Sequence, residues 1–281
     1  MTTTAILFPG QGSQTPTMRE DVERVRPDLL ELAIECVGAD PFALVEEGTR
    51  YAQPAIFCAS LAGWAALDRP DADLMAGHSL GEFAALVAAG ILGERTALEL
   101  VALRGRLMQE AGEQAGNGGM LALIGAGAAE HAAEVAAAHG LAVANDNAPQ
   151  QVVLSGSRDA FEAASEAAKE LGLRPIALPV TGAFHSPMMA GAVPEFEAAL
   201  SRAEIASDPL PGVTVISAVT AQPFDDVRRR LAEALTMPVR WREVVLAMHD
   251  RGARRFIEVG PGKVLTGLVK RTVADVELIS A

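Results

Sequence analysis

The chain has 281 residues, half of them hydrophobic, and a formal net charge of −13 at pH 7. That acidic surplus excludes nucleic acid and anionic membrane surfaces as general partners, because phosphate binding requires basic surface. The length fits one large α/β domain with a smaller unit inserted, and the apolar fraction is enough for an extensive core.

In chain order, "TAILFPGQGSQ" is an apolar run broken at Pro9-Gly10, which predicts a buried strand ending in a glycine-rich loop. Helical patterns follow as far as Arg50. "QPAIFCASLAGWAALDR" (53–69) has apolar residues at helical spacing, with Pro54 expected in the first turn. "LMAGHSLGEFAALVAAG" (74–90) reads as a strand running directly into a helix, and residues 94–114 as a long amphipathic helix. From residue 117 the rhythm changes. "GGMLALIGA" reads as a strand and "AAEHAAEVAAAHG" as a helix. "LAVANDN" and "QVVLSGS" read as strands joined through Asn147 to Gln150, "DAFEAASEAAKELG" as a helix and "RPIALPVTG" as a last strand. The order βαββαβ is that of a ferredoxin-like split unit. It predicts a small subdomain over 117–184 inserted into a core made of 1–116 and 185–281. "GVTVISAVT" and "RRFIEVGPG" supply further buried strands of that core.

Nothing at the amino terminus resembles a secretion signal, and no stretch reaches the roughly 18 apolar residues of a membrane span, so a cytoplasmic protein is expected. Cys36 and Cys58 lie in apolar helical runs without a CxxC spacing and read as small hydrophobes in a reducing compartment. No spacing of His, Cys, Asp and Glu points to a metal site, and no cofactor is expected.

Gly77-His78-Ser79-Leu80-Gly81 fits G-x-S-x-G, the nucleophile elbow, in which a serine stands on a sharp strand-to-helix turn with small neighbours on either side. The free amides and dipole of the following helix favour negative charge there. The parallel-sheet core is accordingly expected to be α/β-hydrolase-like. Among five histidines, His78 adjoins the serine, where neighbouring side chains point apart. His131 and His139 fall on a helix of the small unit, and His249 near a helix end. His185, in "VTGAFHSPMM" where the small unit rejoins the core, is the candidate base. The "PGQGSQ" loop is not a dinucleotide fingerprint, because Thr15 stands where the third glycine belongs.

"FPGQGSQ" (8–14), "GHSLGE" (77–82), "RGRLMQEA" (104–111), "GAFHSPMM" (182–189) and "EVGPGKVLTGL" (258–268) occur in that order. The set closely resembles the malonyl-CoA:acyl carrier protein transacylases and related acyltransferase domains over nearly the whole chain. The resemblance implies Ser79 as nucleophile and His185 as general base in ping-pong covalent catalysis. It further implies the backbone amides of Gln11 and Leu80 as oxyanion donors, and Arg104 as a bidentate anchor for the malonyl carboxylate. From the residues alone Arg104 is one more arginine on a charged helix. Phe184 is similar to the aromatic of malonyl-selective members and would crowd an α-methyl branch. The chain departs from the pattern at Ala234, where relatives carry a glutamine whose main-chain carbonyl orients the histidine, and at Ala218-Val219, where they carry Asn-Val.

The implied partners are malonyl-CoA and a phosphopantetheinylated acyl carrier protein. Because such carriers are acidic, a local basic patch is required. Arg254, Arg255, Lys263, Lys270 and Arg271 are candidates, and Arg228-Arg229-Arg230 a second. The reaction could serve fatty-acid synthesis, a polyketide pathway as a free-standing acyltransferase, or a malonate decarboxylase as its loading subunit. A serine thioesterase is the remaining enzymatic reading, and a catalytically silent carrier-binding subunit the non-enzymatic one.

Overall fold

The computed structural model describes residues 3–280. Strand β1 (Thr3–Phe8) is followed by helices α1 (Met18–Val25), α2 (Pro27–Val37) and α3 (Thr49–Ala66). Strand β2 (Leu74–Gly77) leads into α4 (Gly81–Ala88) and α5 (Glu94–Ala115). Then come β3 (Gly118–Ile124), α6 (Ala128–Ala138), β4 (Ala142–Ala148), β5 (Gln151–Ser157), α7 (Phe161–Glu170) and β6 (Arg174–Ala177). The chain finishes with α8 (Val193–Arg202), β7 (Thr214–Ile216), α9 (Val227–Glu233), α10 (Trp241–Asp250), β8 (Ala253–Glu258), α11 (Val264–Thr272) and β9 (Glu277–Ser280).

One sheet is parallel throughout, in the order β7-β2-β1-β8-β9. Both faces are covered at its centre, so β1 and β2 are apolar on both sides. In β1, Ile6 and Phe8 face a core with α3, α4 and α5, whereas Ala5 and Leu7 face a second core with α10 and α11. The other sheet is antiparallel, in the order β4-β5-β3-β6, the strand order of the ferredoxin-like unit. One face of β3 puts Leu121 and Leu123 against α6 and α7, and the other turns Met120 and Ala122 toward the large unit.

Edge strand β4 is covered by the large unit. Val239 donates its amide to Ala144 O at 2.8 Å, and its carbonyl accepts from Asp146 N at 2.9 Å. Beside this bridge, the Arg242 guanidinium holds the Asp146 carboxylate at 2.7 Å. On the opposite side Arg158 donates to Gly118 O at 3.1 Å and also to Val180 O, clasping both connections between the sheets.

Several sequence expectations need correction. Residues 38–48 are not helical apart from the short 3-10 turn Val45–Glu47, and α3 begins at Thr49. Pro54 is therefore in the helix interior rather than the first turn. β6 stops at Ala177: Leu178 still donates to Met120 O of β3 at 2.9 Å, and the chain then turns, with Val180 N bonded back to Leu178 O. Only Pro149 and Gln150 separate β4 from β5. Strand β9 was not anticipated. It pairs in parallel with the edge of β8, Phe256 opposite Leu278.

The loops after β1, β2 and β8 meet at the carboxyl end of the parallel sheet, where ligands bind in open α/β folds. A Cβ on Gly77 would lie 1.9 Å from the Gly81 carbonyl carbon, and one on Gly81 would lie 2.2 Å from Phe8 O. Both glycines are required by close backbone approach. Gly77→Ala is expected to lower stability by about 3 kcal/mol or to prevent folding. Gly191→Ala, with nothing within 4 Å of its added carbon, is expected to stay within about 0.5 kcal/mol of the parent. Urea unfolding midpoints of the two variants check this.

Candidate functional site

A cavity of about 620 Å³ lies between the antiparallel sheet and the carboxyl end of the parallel one. All six residues singled out from the sequence line it: Gln11, Ser79, Leu80, Arg104, Phe184 and His185. Met120, Ala122 and Val153 of the small unit form the facing wall.

Ser79 sits between β2 and α4 with φ +53°, the left-handed region that L-residues with a side chain rarely occupy. Its Oγ lies 2.8 Å from His185 Nε2. His185 Nδ1 lies 2.8 Å from the Ala234 carbonyl. A carbonyl can only accept, so Nδ1 carries the proton and Nε2 presents its lone pair to the Ser79 hydroxyl. His185 also has a left-handed backbone, φ +56°. Burial pushes its pKa down to about 3, and the nearby Arg104 charge adds to the effect. The imidazole is thus neutral at pH 7 and able to take a proton. Ala234 supplies a main-chain atom, so the missing glutamine side chain leaves this hydrogen bond intact.

Arg104, on α5, is only 1% exposed. Its Nη1 donates to Gln53 Oε1 at 2.7 Å and its Nη2 to Ser79 Oγ at 3.0 Å. Its Nε has no partner, and among the described residues no carboxylate lies in salt-bridge contact with it. Burial lowers its pKa to about 10, so it remains charged at neutral pH. Glu82, the one acidic group whose charge supports it, lies in the first turn of α4 and is buried. Glu82 Oε1 accepts from Ala218 N at 2.7 Å while Oε2 is unpartnered, and burial lifts its pKa to about 7.

Gln11 and Leu80 come from adjacent loops. A Cβ on Gly10 would lie 2.5 Å from His78 O, so the two backbones touch. Leu80 has helical angles at the start of α4, which leaves its amide without a partner in the helix. His78 turns away from Ser79: its Nε2 lies 2.8 Å from Asn147 Oδ1 on β4, and its ring stands 5.4 Å from that of Trp241. His131, His139 and His249 do not line the cavity.

Sequence reasoning missed Gln53, Thr49, Asn147 and Glu82. Gln53 Nε2 donates to Thr49 Oγ1 at 2.8 Å, and Thr49 Oγ1 to Gln11 Oε1 at 2.8 Å. The available signal was the i, i+4 polar pair in an otherwise apolar helix. Among the described residues no group of three or more His, Cys, Asp or Glu side chains is placed to hold a metal ion, and no helix is long and apolar enough to cross a membrane. Cys36 and Cys58 are free thiols, Cys58 buried and Cys36 half-buried.

Of the basic groups, Arg229 and Arg230 are engaged with Asp225 and Glu233, and Arg228 caps carbonyls of Leu200 and Ala203. Arg255 pairs with Glu277. Lys263, Lys270 and Arg271 are exposed on and beside α11, whose Val264, Leu265 and Leu268 line the cavity.

Comparison with known proteins gives the family of the chain. The acyl transferase domain family model matches residues 41–281. The malonyl CoA-acyl carrier protein transacylase of Escherichia coli K12 is 37% identical over 97% of this chain and 94% of its own length. The polyketide biosynthesis protein ThaF of Burkholderia thailandensis is 39% identical over 95% of this chain, which spans only 24% of that longer protein. A solved structure described as a type II PKS acyl-carrier protein in complex with its malonyl-transacylase superposes with a TM-score of 0.88 at 35% identity, covering 99% of this chain and 96% of the matched one. The chain belongs to the acyl transferase domain family and is an acyltransferase.

The buried neutral His185 has a consequence for stability. Its folded pKa lies below its unfolded value, so between about pH 6.5 and pH 3 the unfolded state binds a proton that the folded state refuses. Stability therefore falls as pH drops through this window, with a slope of up to about 1.4 kcal/mol per pH unit from this residue. His185→Gln is expected to flatten the acid limb of a urea-midpoint profile between pH 7 and pH 4.5.

Proposed function

We propose that the protein transfers a malonyl group from malonyl-CoA to the phosphopantetheine thiol of an acyl carrier protein through a malonyl ester on Ser79. The observation that carries this reading is Arg104. A buried guanidinium without a carboxylate, 3.0 Å from Ser79 Oγ, calls for an acyl group that brings its own carboxylate close to the reacting carbonyl. Malonyl, whose carboxylate is separated from the thioester carbon by one methylene, meets that demand.

In the first half-reaction Ser79 Oγ attacks the thioester carbon while its proton passes to His185 Nε2. The developing oxyanion is received by the amides of Gln11 and Leu80. The tetrahedral intermediate collapses, the C–S bond breaks, and His185 returns the proton to the departing thiolate. In the second half-reaction the carrier thiol gives its proton to His185 and attacks the ester, and Ser79 leaves with that proton. The Ala234 carbonyl keeps Nδ1 protonated through both halves. Phe184, at 6% exposure beside His185, narrows the site against branched acyl groups. Lys263, Lys270 and Arg271 give an otherwise acidic enzyme a basic rim for an acidic carrier. A hydrolase has no use for a buried acyl-carboxylate anchor, which disfavours the thioesterase reading. The similarity to ThaF and to the carrier-bound malonyl-transacylase supports service in polyketide assembly beside fatty-acid synthesis. The units over 1–116 with 185–281 and over 117–184 act as the two jaws of the site.

Incubation with malonyl-CoA is expected to add one malonyl group to the Ser79 peptide in a mass spectrum, and holo-carrier protein to remove it onto its own pantetheine arm. Free malonate as the main product would refute transfer. Arg104→Ala is expected to lower kcat/KM for malonyl-CoA by roughly 10²-fold while changing acetyl-CoA far less, since only malonyl loses a charged partner.

A further inference from the structure

We infer that Thr49 is a positioning residue: its hydroxyl relays the orientation of Arg104 to the Gln11 loop and so couples capture of the substrate carboxylate to the placement of an oxyanion-binding amide. The inference rests on the malonyl transacylase reading of the site and names a device within it.

Three hydrogen bonds form the relay. Arg104 Nη1 donates to Gln53 Oε1 at 2.7 Å, Gln53 Nε2 to Thr49 Oγ1 at 2.8 Å, and Thr49 Oγ1 to Gln11 Oε1 at 2.8 Å. Its polarity is fixed from one end. A guanidinium has only donors, so the Gln53 oxygen must face it, which leaves the Gln53 NH₂ for Thr49. The threonine oxygen, having accepted that bond, sends its own proton on to Gln11. Thr49 and Gln53 stand one turn apart on α3, 4% and 1% exposed, so the Arg104–Gln53–Thr49 part of the connection is shielded from water, while Gln11 at its far end is exposed. Bonds in such a chain polarise one another, and the first donor here is ionic.

The far end of the relay is where placement matters. Gln11 follows Gly10, which is packed against the His78 carbonyl, and Gln11 lines the same cavity as Ser79. In the resting site Arg104 Nη2 rests on Ser79 Oγ. A malonyl carboxylate draws the guanidinium onto itself and frees Oγ for attack, while Nη1 stays with Gln53 and fixes the loop. An acyl group without a carboxylate leaves the guanidinium on the nucleophile and the relay unset. Discrimination then appears in the acylation rate as well as in binding.

The test compares wild type with Thr49→Val, which removes the hydroxyl at nearly constant volume, and Thr49→Ser, which restores it. Single-turnover acylation of Ser79 by malonyl-CoA and acetyl-CoA is measured beside steady-state KM. Thr49→Val is expected to keep KM for malonyl-CoA within about twofold and to lose on the order of 10-fold in acylation rate. Its malonyl-over-acetyl rate ratio should fall, and Thr49→Ser should recover most of the loss. Gln11→Ala, at an exposed position that does not threaten folding, removes the other end of the same bond and keeps the backbone amide. It should reproduce the loss, and Thr49→Val/Gln11→Ala should be no slower than the slower single variant. Acylation of Thr49→Val at the wild-type rate, a rise in KM with an unchanged rate, or fully additive losses in the double variant would overturn the relay. Wild-type protein that takes up no malonyl at all would instead overturn the functional reading on which the relay depends.

Discussion

A guanidinium that is removed from water without a carboxylate to receive it is the constraint around which the site is organised. An unpaired buried charge is costly, and the fold offsets that cost with dipoles and one distant charge rather than with an ion pair. Gln53 and the Ser79 hydroxyl take two of the Arg104 donors, and Glu82, only partly ionised near pH 7, lies close enough to lend part of its charge. An internal salt bridge would satisfy Arg104 and also silence it. Leaving the guanidinium short of partners suits it to the proposed selectivity, because an acyl group ending in an anion completes it. The same positive charge helps keep His185 neutral, so under the proposed mechanism one side chain both anchors the carboxylate and holds the base in its proton-accepting form.

The second organising element is backbone strain held by packing. Ser79 and His185, which must meet at 2.8 Å, both have positive φ. Such conformations cost on the order of 1–3 kcal/mol each and persist only where the surroundings over-determine them. At Ser79 the surroundings are the Gly77–Gly81 contact and the end of β1. At His185 they are the Ala234 carbonyl on one side and Ser186 on the other, whose hydroxyl donates to Ala183 O at 2.6 Å. The Ser79–His185 pair is therefore held in place by the fold itself.

The legibility of these features in the sequence follows from how each is encoded. The strand–elbow–helix at 74–88, the long α5 and the βαββαβ order were readable because apolar periodicity and glycine spacing encode them locally. Strand β9 was not, because "ELIS" at a sheet edge has neither a long apolar run nor clean alternation. The start of α3 was missed because Pro54 imitates an N-terminal signal, while the helix begins five residues earlier at Thr49. Arg104 could be placed by motif context but not by pattern, since burying an arginine is a tertiary decision. Gln53 and Thr49 carry no motif of their own. They become visible only when α3 is packed against α5 and the loop after β1.

Backbone groups do much of the work in this site, and that explains why substitutions at familiar positions leave it intact. The Ala234 carbonyl serves where a longer side chain is usual, because the fold needs the position of α9's end and not its side chain. That end is fixed from several directions. The segment after α9 runs to Val239, which pairs with β4, and to Arg240, whose amide donates to Ala218 O at 2.8 Å. Ala218 N is in turn held by Glu82 at the foot of the elbow helix. Ser79 and the carbonyl that orients His185 are thus joined through a closed path of main-chain and buried carboxylate bonds. At 218 and 234 the path uses main-chain atoms alone, so it needs no polar side chain at either of these buried positions. Glu82, whose carboxylate closes it, is the residue in the path that a smaller or apolar replacement could not imitate.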